Sequence, residues 1–254
     1  MKKLLVITAL ILCSTMIVNA QESSKPQMNF VKFNLTSLLL KNYSFQYERV
    51  LSKHISAAVG FRFMPYTTLP FKSSVIKMAK IDDPQIIDMI NIAEFANYSI
   101  TPEIRFYLGK KGYGRGFYIA PYYRYAAYEA QKLTASFEVD DQGQTGNYTQ
   151  KIDFGGSISS HTGGIMLGVQ WALGKHISFD WWILGAAYGA SNGTFSGKPT
   201  PNIPEDKVAQ IKEKLEEMKI PNKTIEVTPS NVKVGLDGIP WAGLRSGIII
   251  GIKF

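Results

Sequence analysis

A period of two runs through eight separate stretches of this chain, and that period marks β-strands with one apolar and one polar face. In residues 43–50, Tyr43, Phe45 and Tyr47 interleave with Ser44, Gln46 and Glu48. In residues 55–63, Ile55, Ala57, Val59, Phe61 and Phe63 share one face opposite Ser56, Gly60 and Arg62. The last stretch sets Leu244, Ile248, Ile250, Ile252 and Phe254 against Arg245, Gly247, Gly251 and Lys253. The same pattern predicts strands near 29–39, 43–50, 55–63, 98–108, 117–129, 158–173, 177–189 and 241–254.

The connections between these strands alternate in length. LSKH, GKKGYGRG and GKH are short, whereas the segments 64–97, near 130–158 and 190–240 are long; the first connection, LKN, is the one short connection on the side of the long ones. An even strand count, both termini on one side and long loops gathered on the other are the marks of a transmembrane β-barrel. The expected fold is therefore all-β: an eight-stranded antiparallel transmembrane barrel with long extracellular loops containing short helices.

In that arrangement the polar face turns inward. It carries Lys32, Glu48, Arg62, Glu103, Arg105, Arg124, Asp180, Arg245 and Lys253. Eight strands leave an interior wide enough for side chains and little else, so these groups must satisfy one another. A barrel-interior polar cluster of Glu48, Arg62, Glu103, Arg105, Arg124, Asp180 and Arg245 is expected, with glycines at 60, 164, 168, 247 and 251 making room for it. Tyr43, Phe63, Phe106, Phe117, Trp171 and Phe179 fall near strand ends, where aromatic girdles meet the membrane interfaces. The competing reading places them in the core of an ordinary sandwich.

The chain begins MKKLLVITALILCSTMIVNA, a charged start, a short apolar run and a small-residue end, which predicts a secretory signal peptide over residues 1–20 cleaved after Ala20. Its apolar run, Leu4 to Leu12, is shorter than the ~20 residues a spanning helix needs. Cleavage removes Cys13, the only cysteine, so the mature chain is expected to have neither an intramolecular disulfide nor a thiol nucleophile. Lys and Arg exceed Asp and Glu by 28 to 20, and the basic residues are scattered rather than blocked, which argues against nucleic-acid binding.

A phenylalanine closing an alternating strand resembles the assembly signal of bacterial outer-membrane proteins, which assigns that part to Phe254. FNLTSLLLKNYSFQYERVLSKHISAAVGFRF and ITPEIRFYLGKKGYGRGFYIAPYYRY are similar to small outer-membrane barrels of Bacteroidota in a family of unknown function. The resemblance implies residence in the bacterial outer membrane. It implies as partners outer-membrane lipid and lipopolysaccharide, and the outer-membrane assembly machinery. It carries over no catalytic residue and leaves the oligomeric state open.

Other motifs have structural readings. LSKHIS (51–56) and LGKHIS (173–178) both fall at predicted short turns; His54 and His176 lack the third ligand a zinc site needs. GKKGYGRG departs from the phosphate-binding G-x-x-x-x-G-K-[ST] and is followed by a strand. Residues 204–220 place Val208, Ile211, Leu215 and Met218 at helical spacing, and 84–96 suggest a second, less regular helix. No cofactor or metal is expected.

The expected function is non-enzymatic: an integral outer-membrane barrel that anchors extracellular loops and serves envelope structure or surface interaction. The alternative is an outer-membrane lipid hydrolase, with His161 acting on Ser159 or Ser160 and oriented by Glu129 or Asp153. No nucleophile-elbow motif accompanies those residues. A passive pore is disfavoured by the strand count.

Overall fold

The computed structural model describes residues 27–140, 148–218 and 220–254. The predicted signal peptide lies outside the described residues. Nine antiparallel strands form one sheet: β1 (Asn29–Asn34), β2 (Tyr43–Val50), β3 (Ile55–Thr68), β4 (Glu94–Tyr107), β5 (Gly116–Val139), β6 (Tyr148–Leu173), β7 (Ile177–Thr200), β8 (Lys223–Thr228) and β9 (Asn231–Lys253). Pairing follows chain order from β1 to β7, β7 then pairs with β9, and β9 pairs with β1. Eight strands thus make a ring. β8 stands outside it, paired to the far half of β9. This ninth strand corrects the expected eight; with only Ile225 and Val227 apolar, KTIEVT is too short and too polar to stand out in a segment read as loop.

Three helices decorate the sheet: α1 (Lys72–Met78), α2 (Pro84–Ile92) and α3 (Val208–Glu216), the last preceded by a 3-10 turn at Glu205–Lys207. No helix among the described residues is long and apolar enough to cross a membrane.

Alternation along β2 is complete: every odd residue is exposed and every even one buried. The register stacks like faces on like, pairing Phe45 with Phe61 and Glu48 with Ala58. β1, by contrast, ends at Asn34 rather than near 39. The Asn34 side-chain oxygen accepts from the Ser37 backbone N–H at 3.1 Å and from the Thr36 hydroxyl at 2.8 Å, while the Ser37 hydroxyl donates to the Asn34 carbonyl at 2.7 Å. These local bonds compete with the ladder and turn residues 36–40 into a 3-10 helix. Leu38, Leu39 and Leu40 are left exposed in a row.

The two KHIS turns play one part in two places. The His54 carbonyl accepts the Tyr107 N–H at 2.8 Å, and its imidazole Nδ1 lies 3.0 Å from the Tyr107 carbonyl oxygen. The His176 carbonyl accepts the Lys253 N–H at 2.7 Å, with Nδ1 3.4 Å from the Lys253 carbonyl oxygen. Each turn latches the end of the strand beside it.

Two of the three long connections, near 130–158 and 190–240, are largely strand among the described residues, whereas 64–97 carries α1 and α2. β5, β6, β7 and β9 run for 24, 26, 24 and 23 residues, roughly 80 Å each at full extension. Their far halves rise above the ring as a curved sheet with its own core. Ile211 and Leu215 of α3 pack there with Val139, Ile152, Ile203 and Val232. The helical stripe read from sequence thus docks on its own chain. Ile211→Ala is expected to cost about 2–5 kcal/mol of local stability by the cavity it leaves. Faster proteolysis near residues 204–220, with the ring intact, is the readout.

Candidate functional site

The ring inverts the usual order of a water-soluble protein. Glu48, Arg105 and Asp180 are 0% exposed, whereas Ile104, Phe61 and Ile250 are 47%, 44% and 42% exposed. Because strand side chains alternate, one parity in each strand points inward, and the inward parity carries the charges.

Those charges meet in a single knot. Arg105 donates from Nε to Glu103 at 2.7 Å, from Nη1 to Asp180 at 2.7 Å and Glu48 at 3.2 Å, and from Nη2 to Gln46 at 2.8 Å. Its guanidinium lies 4.4 Å from the Tyr118 ring centroid. Lys32 bonds Glu48, the Gln170 side-chain oxygen at 2.5 Å and Asp180 at 2.9 Å. Arg245 reaches the second oxygen of Glu103 at 3.0 Å. The hydroxyls of Tyr107 and Ser56 donate to Glu48 at 2.7 and 2.5 Å, and that of Tyr118 donates to Asp180 at 2.8 Å. Every strand of the ring contributes at least one group. Three cations, Lys32, Arg105 and Arg245, face three carboxylates, so the knot is neutral.

Of the residues singled out by sequence, Glu48, Glu103, Arg105, Asp180 and Arg245 come together here. Arg62 and Arg124 do not. They line a cavity of about 670 Å³ on the side of the knot nearer the strand extensions. There Arg124 donates from Nε to the Thr101 hydroxyl at 3.1 Å, and Arg124 and Arg245 both face the Tyr122 ring, at 6.0 and 4.6 Å. Lys253 lies towards the opposite end, 5.8 Å from the Phe30 ring centroid. Phe254 is exposed; its backbone exchanges hydrogen bonds with Asn29 at 2.9 and 3.0 Å.

Gln46, Ser56, Tyr107, Tyr118 and Gln170 complete the knot without having been picked out as site residues. Gln46, Ser56, Tyr107, Tyr118 and Gln170 share the polar parity of their strands, which is their signal in the sequence. The partner of Tyr118 across the interior, Asp180, is set by the closed pairing. Gly168 makes room for that ring: a Cβ there would lie 2.3 Å from the Tyr118 hydroxyl oxygen. Tyr118 is held by Asp180 and Arg105, so it cannot give way. Gly168→Val is therefore expected to destabilise the ring by about 1–3 kcal/mol, read from urea unfolding of the refolded protein.

The rim residues weighed for hydrolysis stand apart. His161 is exposed, and its Nδ1 contacts the Tyr123 hydroxyl at 2.5 Å. Ser159 reaches the Asn192 carbonyl at 3.5 Å, Glu129 accepts from Tyr66, and Asp153 accepts from Thr134 at 2.7 Å. No hydrogen bond among the described residues links serine, histidine and acid. Nor do three or more His, Cys, Asp or Glu side chains gather as metal ligands among them.

Fold and interior together define a class of protein: an all-β chain whose antiparallel ring encloses its charges and exposes its apolar residues. Residues 6–193 match the model of a family described as "Protein of unknown function (DUF3575)", and the chain belongs to that family. No curated protein matches the chain.

Proposed function

We propose that this chain is a non-enzymatic integral protein of a bacterial outer membrane, of the kind found in Bacteroidota. Its ring is a transmembrane β-barrel, and its extended sheet and α3 stand outside the cell as a surface structure serving envelope integrity or surface contacts. The observation that carries this reading is the inverted surface. Leu35, Val59, Phe61, Ile100, Ile104, Ile165 and Ile250 are exposed around the ring while an ion network is sealed within it. In water that band would drive aggregation; in a bilayer it faces hydrocarbon, and the ring leaves no unpaired strand edge along most of its circumference.

The knot also supports a barrel that does not conduct. Side chains from all eight ring strands meet across the interior, so conductance in planar bilayers is expected to be negligible, and sustained channel currents would count against this reading. The primary test is membrane fractionation combined with heat-dependent gel mobility. Recovery in the outer-membrane fraction with a faster-migrating unheated band is expected. A soluble protein with one mobility before and after heating would overturn the proposal.

A further inference from the structure

The wall of the ring is low at one place. β1 has 6 residues and β2 has 8. At ~3.3 Å per residue and a tilt of about 40°, eight residues rise roughly 20 Å, short of the roughly 25 Å apolar band of such barrels. The Ile248 carbonyl still accepts the Leu35 N–H at 2.9 Å, and the Ile248 N–H donates to the Thr36 hydroxyl at 3.2 Å. Outward of Ile248, β9 has no strand among the described residues paired on its β1 side until β8 joins it at Leu236. On the other flank β3 continues past Phe63 paired with β4 alone. A notch results, floored by the 3-10 turn at Thr36–Leu40.

The 670 Å³ cavity above the knot opens through this notch. Arg62, Ser99, Arg124 and Arg245 line its inner part, and Leu39, Leu40, Phe61 and Leu244 its outer part. The four apolar residues are 66%, 50%, 44% and 78% exposed. One continuous space therefore has a cationic end inside the ring and a greasy end on the ring's outer surface.

The cationic end is not compensated. The knot balances its own charges, and among the described residues no carboxylate forms a salt bridge with Arg62 or Arg124. The Nε of Arg62, the Nε of Arg245 and the hydroxyl of Ser99 are buried without a hydrogen-bond partner, and the two arginines that lack a carboxylate, Arg62 and Arg124, are half-buried. Enclosing guanidinium charge without a counter-ion is strongly unfavourable. An anion with several acceptor oxygens, presented to convergent N–H and O–H donors, removes that cost.

We propose that the notch holds a lipid of the surrounding leaflet whose phosphate headgroup carries a net negative charge, the headgroup against Arg62, Arg124 and Arg245 and the acyl chains leaving between Leu39, Leu40 and Leu244. The inference rests on the outer-membrane reading above. The phosphate satisfies the cations, and the bare edge of β9 gains headgroup oxygens and hydroxyls where hydrocarbon offers no partner. The cavity volume falls within the range of small-molecule sites. Free phosphate leaves the apolar half of the space unexplained, which is why a lipid is the occupant named.

The test uses the mature full-length protein refolded in dodecyl maltoside, with heat-dependent mobility checked on each sample. Dioleoyl-phosphatidylglycerol, dioleoyl-phosphatidylcholine and inorganic phosphate are titrated in turn, and retained adducts are counted by native mass spectrometry. One phosphatidylglycerol is expected to be retained at least tenfold more tightly than phosphatidylcholine. Arg62→Gln with Arg124→Gln should abolish that preference, since each loses a charge-assisted contact. Gly60→Leu narrows the cavity without touching its charge and should weaken retention of both lipids; a Cβ at Gly60 meets nothing closer than 3.7 Å, and the mobility check on each sample selects the folded variant. Equal retention of the two lipids, unchanged selectivity in the double variant, or inorganic phosphate binding as tightly as phosphatidylglycerol would each overturn the lipid site while leaving the barrel in place. Loss of heat-dependent mobility in the unsubstituted protein would instead remove the barrel, and the site with it.

Discussion

Arg105→Ala is expected to be the most damaging single substitution in the ring, lowering stability by about 3–5 kcal/mol or more, the range for breaking one partner out of a buried ion pair. Arg105 is fully buried and bonds three carboxylates and two glutamines. Without it, Glu48, Glu103 and Asp180 face only Lys32 and Arg245, so one buried negative charge goes unbalanced. Restoring the balance should restore part of the loss. Arg105→Ala combined with Asp180→Asn is therefore expected to be less damaging than the sum of the two single changes, with a coupling of about 0.5–3 kcal/mol. Urea titration in lipid vesicles, followed by tryptophan emission and by the mobility of unheated samples, measures both. A loss within about 0.5 kcal/mol for Arg105→Ala, the level of an ordinary surface change, would mean that the knot does not hold the ring together.

The second large effect separates lipid from water on the outer surface. Ile104 is 47% exposed. On a water-soluble protein, Ile104→Arg would fall within about 0.5 kcal/mol of neutral. At the midplane of a bilayer the same change costs about 2–4 kcal/mol. Thr194→Arg supplies the comparison, because Thr194 is also exposed and lies on the far half of β7, beyond the apolar band. In the vesicle titration the Ile104 variant is expected to lose stability and the Thr194 variant to stay near the parent. Equal, small effects at both positions would place both in water.

Legibility followed contrast between neighbouring residues. β2 was readable to the residue because Tyr43, Phe45 and Tyr47 differ sharply from Ser44, Gln46 and Glu48. The far half of β7 was not. In GASNGTFSG every residue but Phe195 is small or polar, so a period of two has almost nothing to modulate, and pairing with β6 and β9 makes it a strand. The end of β1 escaped for a different reason: Asn34 and Ser37 redirect the backbone through bonds that alternation does not register. Helix α3 was visible from its 3.6-residue stripe, but the core it joins is assembled from strands that the sequence presented as loop.

The site divides along the same line. Residues alone assigned each charged side chain to a face, since direction alternates along any extended chain. They did not assign height. Arg62 and Arg124 share the face of Glu48 and Asp180, yet their neighbours across the ladder are Ser44, Ser99 and Thr162 rather than carboxylates. Which strands adjoin, and in what register, is a property of the closed pairing and of turns far apart in the chain. That pairing gathered three cations and three acids into a neutral knot, left two guanidinium groups above it, and cut the notch beside them.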